Sequence, residues 1–259
     1  MKRLPAAGVA VFALMAPAMA ADISTSAPIY TKAPAPWTWT GFYVGGTVGA
    51  QRGTDSITSS SDPTGWTTAG AASIDGSSAT SIHPQGVIGG VEAGYNWQIN
   101  SFVLGLEADM NWLSGTATRN LTLVGIPGLT AGDVMTNMTH VPFLATVRPR
   151  LGVTFDHALL YVTGGLAIGT LQTTDTFVSF SPATVTQSSS LAGWTVGGGV
   201  EYALTRNWSV KGEYLHVDLG TANALIPTCA ACVAGSDITV NHKYTDEIAR
   251  FGANFKFDD

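Results

Sequence analysis

The sequence predicts an all-β fold: an eight-stranded antiparallel transmembrane β-barrel with short periplasmic turns and four long extracellular loops. Three observations predict it. Segments of about ten residues alternate apolar and polar side chains with period two, which is the period of a strand rather than a helix. Tight turns and long polar connections separate these segments in strict alternation. The chain is also poor in charge: 12% of its 259 residues are Asp, Glu, Lys or Arg, 30 are glycine, and the mean hydropathy is +0.21. No run approaches the ~18–20 consecutive apolar residues of a transmembrane helix. The net charge of −6 supplies no basic patch for nucleic acid.

The chain opens MKRLPAAGVAVFALMAPAMAAD. Lys2 and Arg3 form a charged start, Ala6 to Ala16 an apolar stretch, and Ala18-Met19-Ala20 a small-residue cleavage site. Residues 1–20 therefore read as a signal peptide for export, the apolar run being too short for a membrane anchor. Residues 21–40 are rich in Ala, Pro, Ser and Thr and read as an extended periplasmic tether. Peptidoglycan or a periplasmic protein is the candidate partner of that tether.

The strands follow from residue 41 to 257. In 42–50, Phe42, Val44, Val48 and Ala50 oppose Tyr43, Gly45, Thr47 and Gly49. In GVIGGVEAGYNWQI (86–99), Val87, Val91, Tyr95, Trp97 and Ile99 oppose a glycine-rich face that carries Glu92. In 102–112 the apolar face runs from Phe102 through Leu106 to Trp112, against Glu107 and Asp109. In 143–155 Phe143, Val147, Leu151 and Phe155 oppose Thr146, Arg148 and Arg150. The segments 159–169, 194–204, 208–216 and 248–257 repeat the pattern, and place Glu201, Lys211, Glu213, Arg250 and Lys256 on their polar faces. Eight strands of this length match the ~9–11 residues of a tilted membrane-crossing strand. The tight turns fall at Asn100-Ser101, Asp156-His157 and Thr205-Arg206-Asn207; the long connections are about 52–84, 114–140, 172–190 and 220–243. Pro149 interrupts the donor pattern of its strand, and a bulge is expected there, with consequences for where Arg148 and Arg150 point.

Two barrels fit eight strands with one apolar face. A soluble lipocalin-like barrel turns that face inward and a membrane barrel turns it to lipid. The glycine-rich polar face is a poor water-facing surface and suits a narrow lumen. Its charges balance in sign: Glu92, Glu107, Asp109, Glu201 and Glu213 against Arg148, Arg150, Lys211, Arg250 and Lys256. Unpaired buried charge is costly, so a lumen crossed by ion pairs is expected, with Arg148 and Arg150 near its middle. Phe42, Trp97, Phe102, Phe155, Tyr202 and Trp208 fall at the turn-side ends of the apolar faces, and Trp112, Phe143 and Trp194 at the loop-side ends. Two aromatic belts are what the headgroup interfaces favour.

Several stretches, TWTGFYVGGTVGA at 38–50, LLYVTGGLAIG at 159–169, WTVGGGVEYAL at 194–204, WSVKGEYLHVDLG at 208–220 and FGANFKF at 251–257, resemble the alphaproteobacterial outer-membrane immunogenic protein family, small OmpA-like barrels. The resemblance spans 38–257. It implies outer-membrane location among lipid and lipopolysaccharide, insertion by the barrel assembly machinery, and a role in envelope integrity or surface interaction. Some members of the family are porins or haemin binders. The ending differs: Asp258-Asp259 follow Phe257, where such barrels often end on an aromatic residue.

Other chemistry is thin. Cys229 and Cys232 lie in the last long loop and, in an exported chain, are expected to form a disulfide. His83, His140, His216 and His242 fall toward the loop side, where four clustered histidines would hold haem or a metal and four scattered ones nothing. His216 with Asp218 is the nearest approach to a catalytic pair, without a nucleophile at a telling spacing. No catalytic residue, cofactor or metal is expected. A filled lumen, a narrow pore for ions or very small solutes, and a haem- or metal-binding rim are the functional alternatives, in that order.

Overall fold

The computed structural model describes residues 37–61, 80–122, 134–178, 183–226 and 238–257. The signal peptide, tether residues 21–36 and the Cys229–Cys232 pair lie outside the described residues. Strands β1 (Gly41–Ser61), β3 (Gln85–Ile99), β4 (Phe102–Leu113), β6 (Val134–Phe155), β7 (Ala158–Val178), β8 (Ala183–Ala203), β9 (Trp208–Ile226) and β10 (Ile238–Lys256) pair antiparallel in chain order. β10 also pairs with β1, from Tyr43 opposite Lys256 to Ser61 opposite Ile238, so the sheet closes into a ring of eight strands with no free edge. The short strands β2 (Thr80–Ile82) and β5 (Thr116–Thr122) prolong β3 and β4 along β1 and β6.

The turns are where the sequence placed them. β3 and β4 join through Asn100-Ser101, and β6 and β7 through Asp156-His157, with Asn100 and Asp156 both at φ 55°. Asn and Asp tolerate this left-handed conformation because their short polar side chains bond locally. Between β8 and β9 the Thr205 hydroxyl accepts the backbone N–H groups of Asn207 and Trp208 and holds the longer turn.

The apolar faces point outward. Val48 is 60% exposed, Leu166 68% and Phe251 73%, whereas Glu107 is 2% and Arg148 0%. The outward apolar band runs over 42–50 on β1, 102–112 on β4, 143–155 on β6, 160–168 on β7 and 249–257 on β10. This is the arrangement of a membrane barrel and the reverse of a lipocalin.

The strands differ from expectation in length. They run to 22 residues, deep into the regions expected to be loops. Above the band the outward residues become Thr and Ser, which blurs the alternation in sequence, while the inward ones include Ile57, Ile82, Ala224 and Val240, packed together. That apolar interior is why pairing continues.

Pro149 causes no bulge. It stays in register opposite Leu106, faces outward, and leaves Arg148 and Arg150 pointing inward. Pairing with β7 skips Arg148 and Pro149 but resumes in the same register at Arg150–Thr163. The register shift of β6 lies instead between His140 and Phe143, beside Pro142. A second lies between β9 and β10 at Tyr244/Thr245, beside Gly220 at φ +77°. At each, one extra residue exchanges the faces: inward Asn137 and Thr139 give way to inward Leu144 and Thr146, and inward Val217 and Leu219 to inward Ala222 and Ala224.

Candidate functional site

The inward side chains form layers along the barrel. At the turn end, Trp39 packs with Val103, Leu159, Tyr161 and Ala203, and Trp37 lies against them. The end of the expected tether is therefore a packed segment rather than a spacer. Trp39 N–H donates to Gln98 Oε1 (2.7 Å), the Lys256 ammonium to Thr38 O, and the Trp37 ring stacks on His157.

Above this lies the charged layer. Glu107 and Asp109 are two apart on β4 and so share the inward face, as do Arg148 and Arg150 on β6 and Lys211 and Glu213 on β9. Arg148 Nη2 donates to Glu107 Oε1 (2.6 Å) and Asp109 Oδ2 (2.9 Å), and its Nη1 lies 3.4 Å from Glu213. Arg150 reaches Glu201 (2.7 Å) and Glu107 (3.3 Å), with its guanidinium 4.2 Å from the centre of the Tyr161 ring. Lys211 Nζ lies 2.7 Å from Glu92 and 3.1 Å from Glu107. Arg250 pairs with Glu213 on the adjacent strand (2.6 Å) and spans the lumen to Asp109 (3.0 Å). Neutral donors complete the shell: Tyr43 hydroxyl to Glu107 (2.7 Å), Tyr161 hydroxyl to Glu213 (3.1 Å), and Asn254 amide to Glu201 (3.0 Å).

Nine of the ten expected lumen residues thus meet in one layer: Glu92, Glu107, Asp109, Glu201 and Glu213 with Arg148, Arg150, Lys211 and Arg250. Lys256 does not join them. It sits at the turn-side mouth, its ammonium 5.4 Å from the centre of the Trp37 ring. At the last residue of β10, its long stem reaches the Trp37–Thr40 segment more readily than the lumen centre. Glycines make room for the charged side chains. A Cβ on Gly165 would overlap the Val147 carbonyl oxygen and come within 2.9 Å of Arg148 Cα.

Next comes an apolar layer including Ile88, Leu113, Leu144, Leu215, Val217 and Ile248. Beyond it, and past the outward apolar band, sequence reasoning missed a second polar cluster. His242 Nδ1 is 2.9 Å from Asp55 Oδ2 and its Nε2 3.6 Å from Asp175 Oδ2; Thr139 donates to Asp55 (2.7 Å) and Asn137 to Asp175 (2.6 Å). Burial alone would lower the affinity of His242 for its proton, but the neighbouring Asp175 and Asp55 carboxylates outweigh this and raise its pKa to about 9. Burial raises nearby Asp246 to about 7. Asp55 and His242 are 187 positions apart in sequence with Asp175 between them, all three in stretches read as loops, so their common face carried no visible signal.

The four histidines do not converge. His242 is buried in the lumen. His216 is bonded to Glu247 (2.6 Å) rather than to Asp218, His140 lies 2.9 Å from Gly115 O, and His83 is near Thr54 on the outer face. The belt residues Phe42, Trp97, Phe102, Trp112, Phe155, Trp194, Tyr202 and Trp208 are all well exposed on the outside, and Phe143 stands beside Trp112.

A family model described as the outer membrane protein beta-barrel domain matches residues 6–257. The chain belongs to this family. It is 36% identical to the 31 kDa outer-membrane immunogenic protein of Brucella melitensis over 245 residues, 93% of each chain. The 22 kDa outer membrane protein of Rhizobium leguminosarum bv. viciae is 32% identical over 136 residues, 52% of this chain and 54% of that one. Among solved structures, the outer membrane protein OprG from Pseudomonas aeruginosa aligns at 10% identity with a TM-score of 0.43, covering 85% of this chain and 99% of that chain. As an outer membrane protein beta-barrel, the chain resides in the outer membrane, and its outward apolar band meets lipid.

Proposed function

We infer that the protein is a structural outer-membrane barrel with a closed lumen, strengthening the envelope and presenting its outer strands and loops at the cell surface, without catalysis. The observation that carries this reading is the charged layer, in which Arg148, Arg150, Lys211 and Arg250 are bound to five carboxylates between apolar layers on either side. Side chains fill the interior of an eight-stranded barrel readily. The relatives' names, outer-membrane immunogenic proteins, agree with a surface-exposed structural role. In this reading the barrel assembly machinery inserts the chain, and residues upstream of Trp37 reach toward peptidoglycan or a periplasmic protein.

Deleting the gene and restoring it on a plasmid tests the reading. Loss of the protein is expected to sensitise cells to detergent, with uptake of small solutes unchanged. Slower small-solute uptake with a detergent-resistant envelope would favour the narrow pore instead.

A further inference from the structure

The outer wall changes chemistry in a definite order above the lipid-facing band. At the edge of the band, Arg52 of β1 faces outward opposite Glu247 of β10, and four pairs higher Lys243 of β10 faces outward opposite Ser56. Among the described residues these two are the cations on the outer wall above the band, and both lie on the β1–β10 seam. Neither forms an ion pair among the described residues. Glu247, the acid opposite Arg52, is turned toward β9, where Tyr214 hydroxyl donates to it (2.7 Å) and His216 lies 2.6 Å away. Four residues of strand separate the two cations, ~13 Å. Hydroxyls flank the cations: on β1 Thr54 lies between their two levels and Thr58 above them, and farther round the wall Thr174 and Thr176 of β7 contact Thr186 and Thr184 of β8.

We propose that the β1–β10 seam binds the phosphorylated sugar headgroup of lipopolysaccharide, with Arg52 and Lys243 on its phosphates and the hydroxyl wall against its sugars. The site is continuous with the lipid-facing band, so the headgroup layer of the outer leaflet lies directly against it. That layer presents, from the acyl chains outward, a phosphorylated disaccharide and then sugars. The wall of the seam presents apolar residues and then two cations with hydroxyls between and above them. A guanidinium and an ammonium are the groups suited to phosphate oxygens at such an interface. The proposal concerns the outer surface and stands whether or not the lumen conducts.

The test uses the full chain folded in phosphatidylcholine nanodiscs, titrated with fluorescent deep-rough lipopolysaccharide and, separately, with its dephosphorylated form. The wild type is expected to bind the phosphorylated form, and the double variant Arg52→Ser/Lys243→Ser to bind it at least roughly tenfold more weakly, two cations being lost. Dephosphorylation is expected to weaken wild-type binding to the level of the variant. The heat-induced gel shift in phosphatidylcholine alone checks that the variant is folded; Arg52→Gln/Lys243→Gln takes its place if it is not. Equal binding by a folded variant and the wild type, or indifference to dephosphorylation, would overturn the proposal.

Discussion

Glu107 and Arg148 face each other across adjacent strands β4 and β6, with Arg148 Nη2 2.6 Å from Glu107 Oε1 and both side chains buried. Register and charge coincide at this pair. The hydrogen-bond ladder that closes the wall also sets the ion pair that fills the space inside it. Glu107 is shared further with Lys211 and Arg150, so three strands, β4, β6 and β9, are tied through one carboxylate.

Removing one partner of a buried pair leaves charge without compensation and costs about 3–5 kcal/mol. Arg148→Met is therefore expected to lower the temperature at which the unboiled gel band converts to the unfolded position. Adding Glu107→Gln to it is expected to cost less than the sum of the single changes, because the two sites are coupled. Strict additivity would show that the pair carries no mutual energy.

Small residues inside the wall are expected to matter and small residues outside it to be replaceable. Gly165→Ala drives a methyl into the Val147 carbonyl behind Arg148 and is expected to cost about 1–3 kcal/mol. At Gly212, which faces outward, the nearest neighbour of an added methyl is the Phe251 ring at 3.6 Å, and Gly212→Ala is expected to leave the unfolding temperature unchanged. Thermal gel-shift curves of the two variants side by side check the contrast.

Trp39 fills the turn-side mouth, and Trp39→Ala is expected to destabilise the barrel by about 3–5 kcal/mol, as for other large-to-small changes in packed cores. It is not expected to open a conducting path, since the charged layer lies above it. Denaturant titration of tryptophan-independent circular dichroism measures the first effect and bilayer recording the second.

The Asp55–His242–Asp175 cluster makes the outer end of the barrel sensitive to pH. The proton affinity of His242 is raised in the folded state to about 9, above its ordinary ~6.5. Its contribution is thus complete below pH ~6.5 and is lost as pH rises through about 9. Asp246, raised to about 7, acts in the same direction over a lower range. Amide exchange in the outer halves of β1, β7 and β10 is expected to quicken from pH 6.5 to 9 beyond its intrinsic rise. His242→Gln should remove most of that excess, leaving the part near pH 7 that comes from Asp246. An unchanged excess in the variant would assign it elsewhere.

The sequence makes the membrane-crossing part of this molecule legible and the outer part obscure, for a physical reason. Within the lipid-facing band every second residue must be apolar, so stretches such as Phe102 to Trp112 declare both faces. Past the band, outward Thr and Ser look like loop residues, and only inward Ile57, Ile82 and Val240 betray the continuing strands. The bulges beside Pro142 and Gly220 then exchange the faces, which strict period two does not anticipate. Pro149, which drew attention, is accommodated because it faces outward in unbroken register with β4. Asp55, Asp175 and His242 come together only because β1, β7 and β10 share one closed wall.

Single-channel recording of the purified wild-type protein in planar lipid bilayers tests the closed lumen most directly. The account predicts no steady conductance steps from protein shown to be folded by its heat-dependent gel mobility. Steady wild-type steps that change size when Glu107 or Arg148 is neutralised would contradict it and make the lumen a pore.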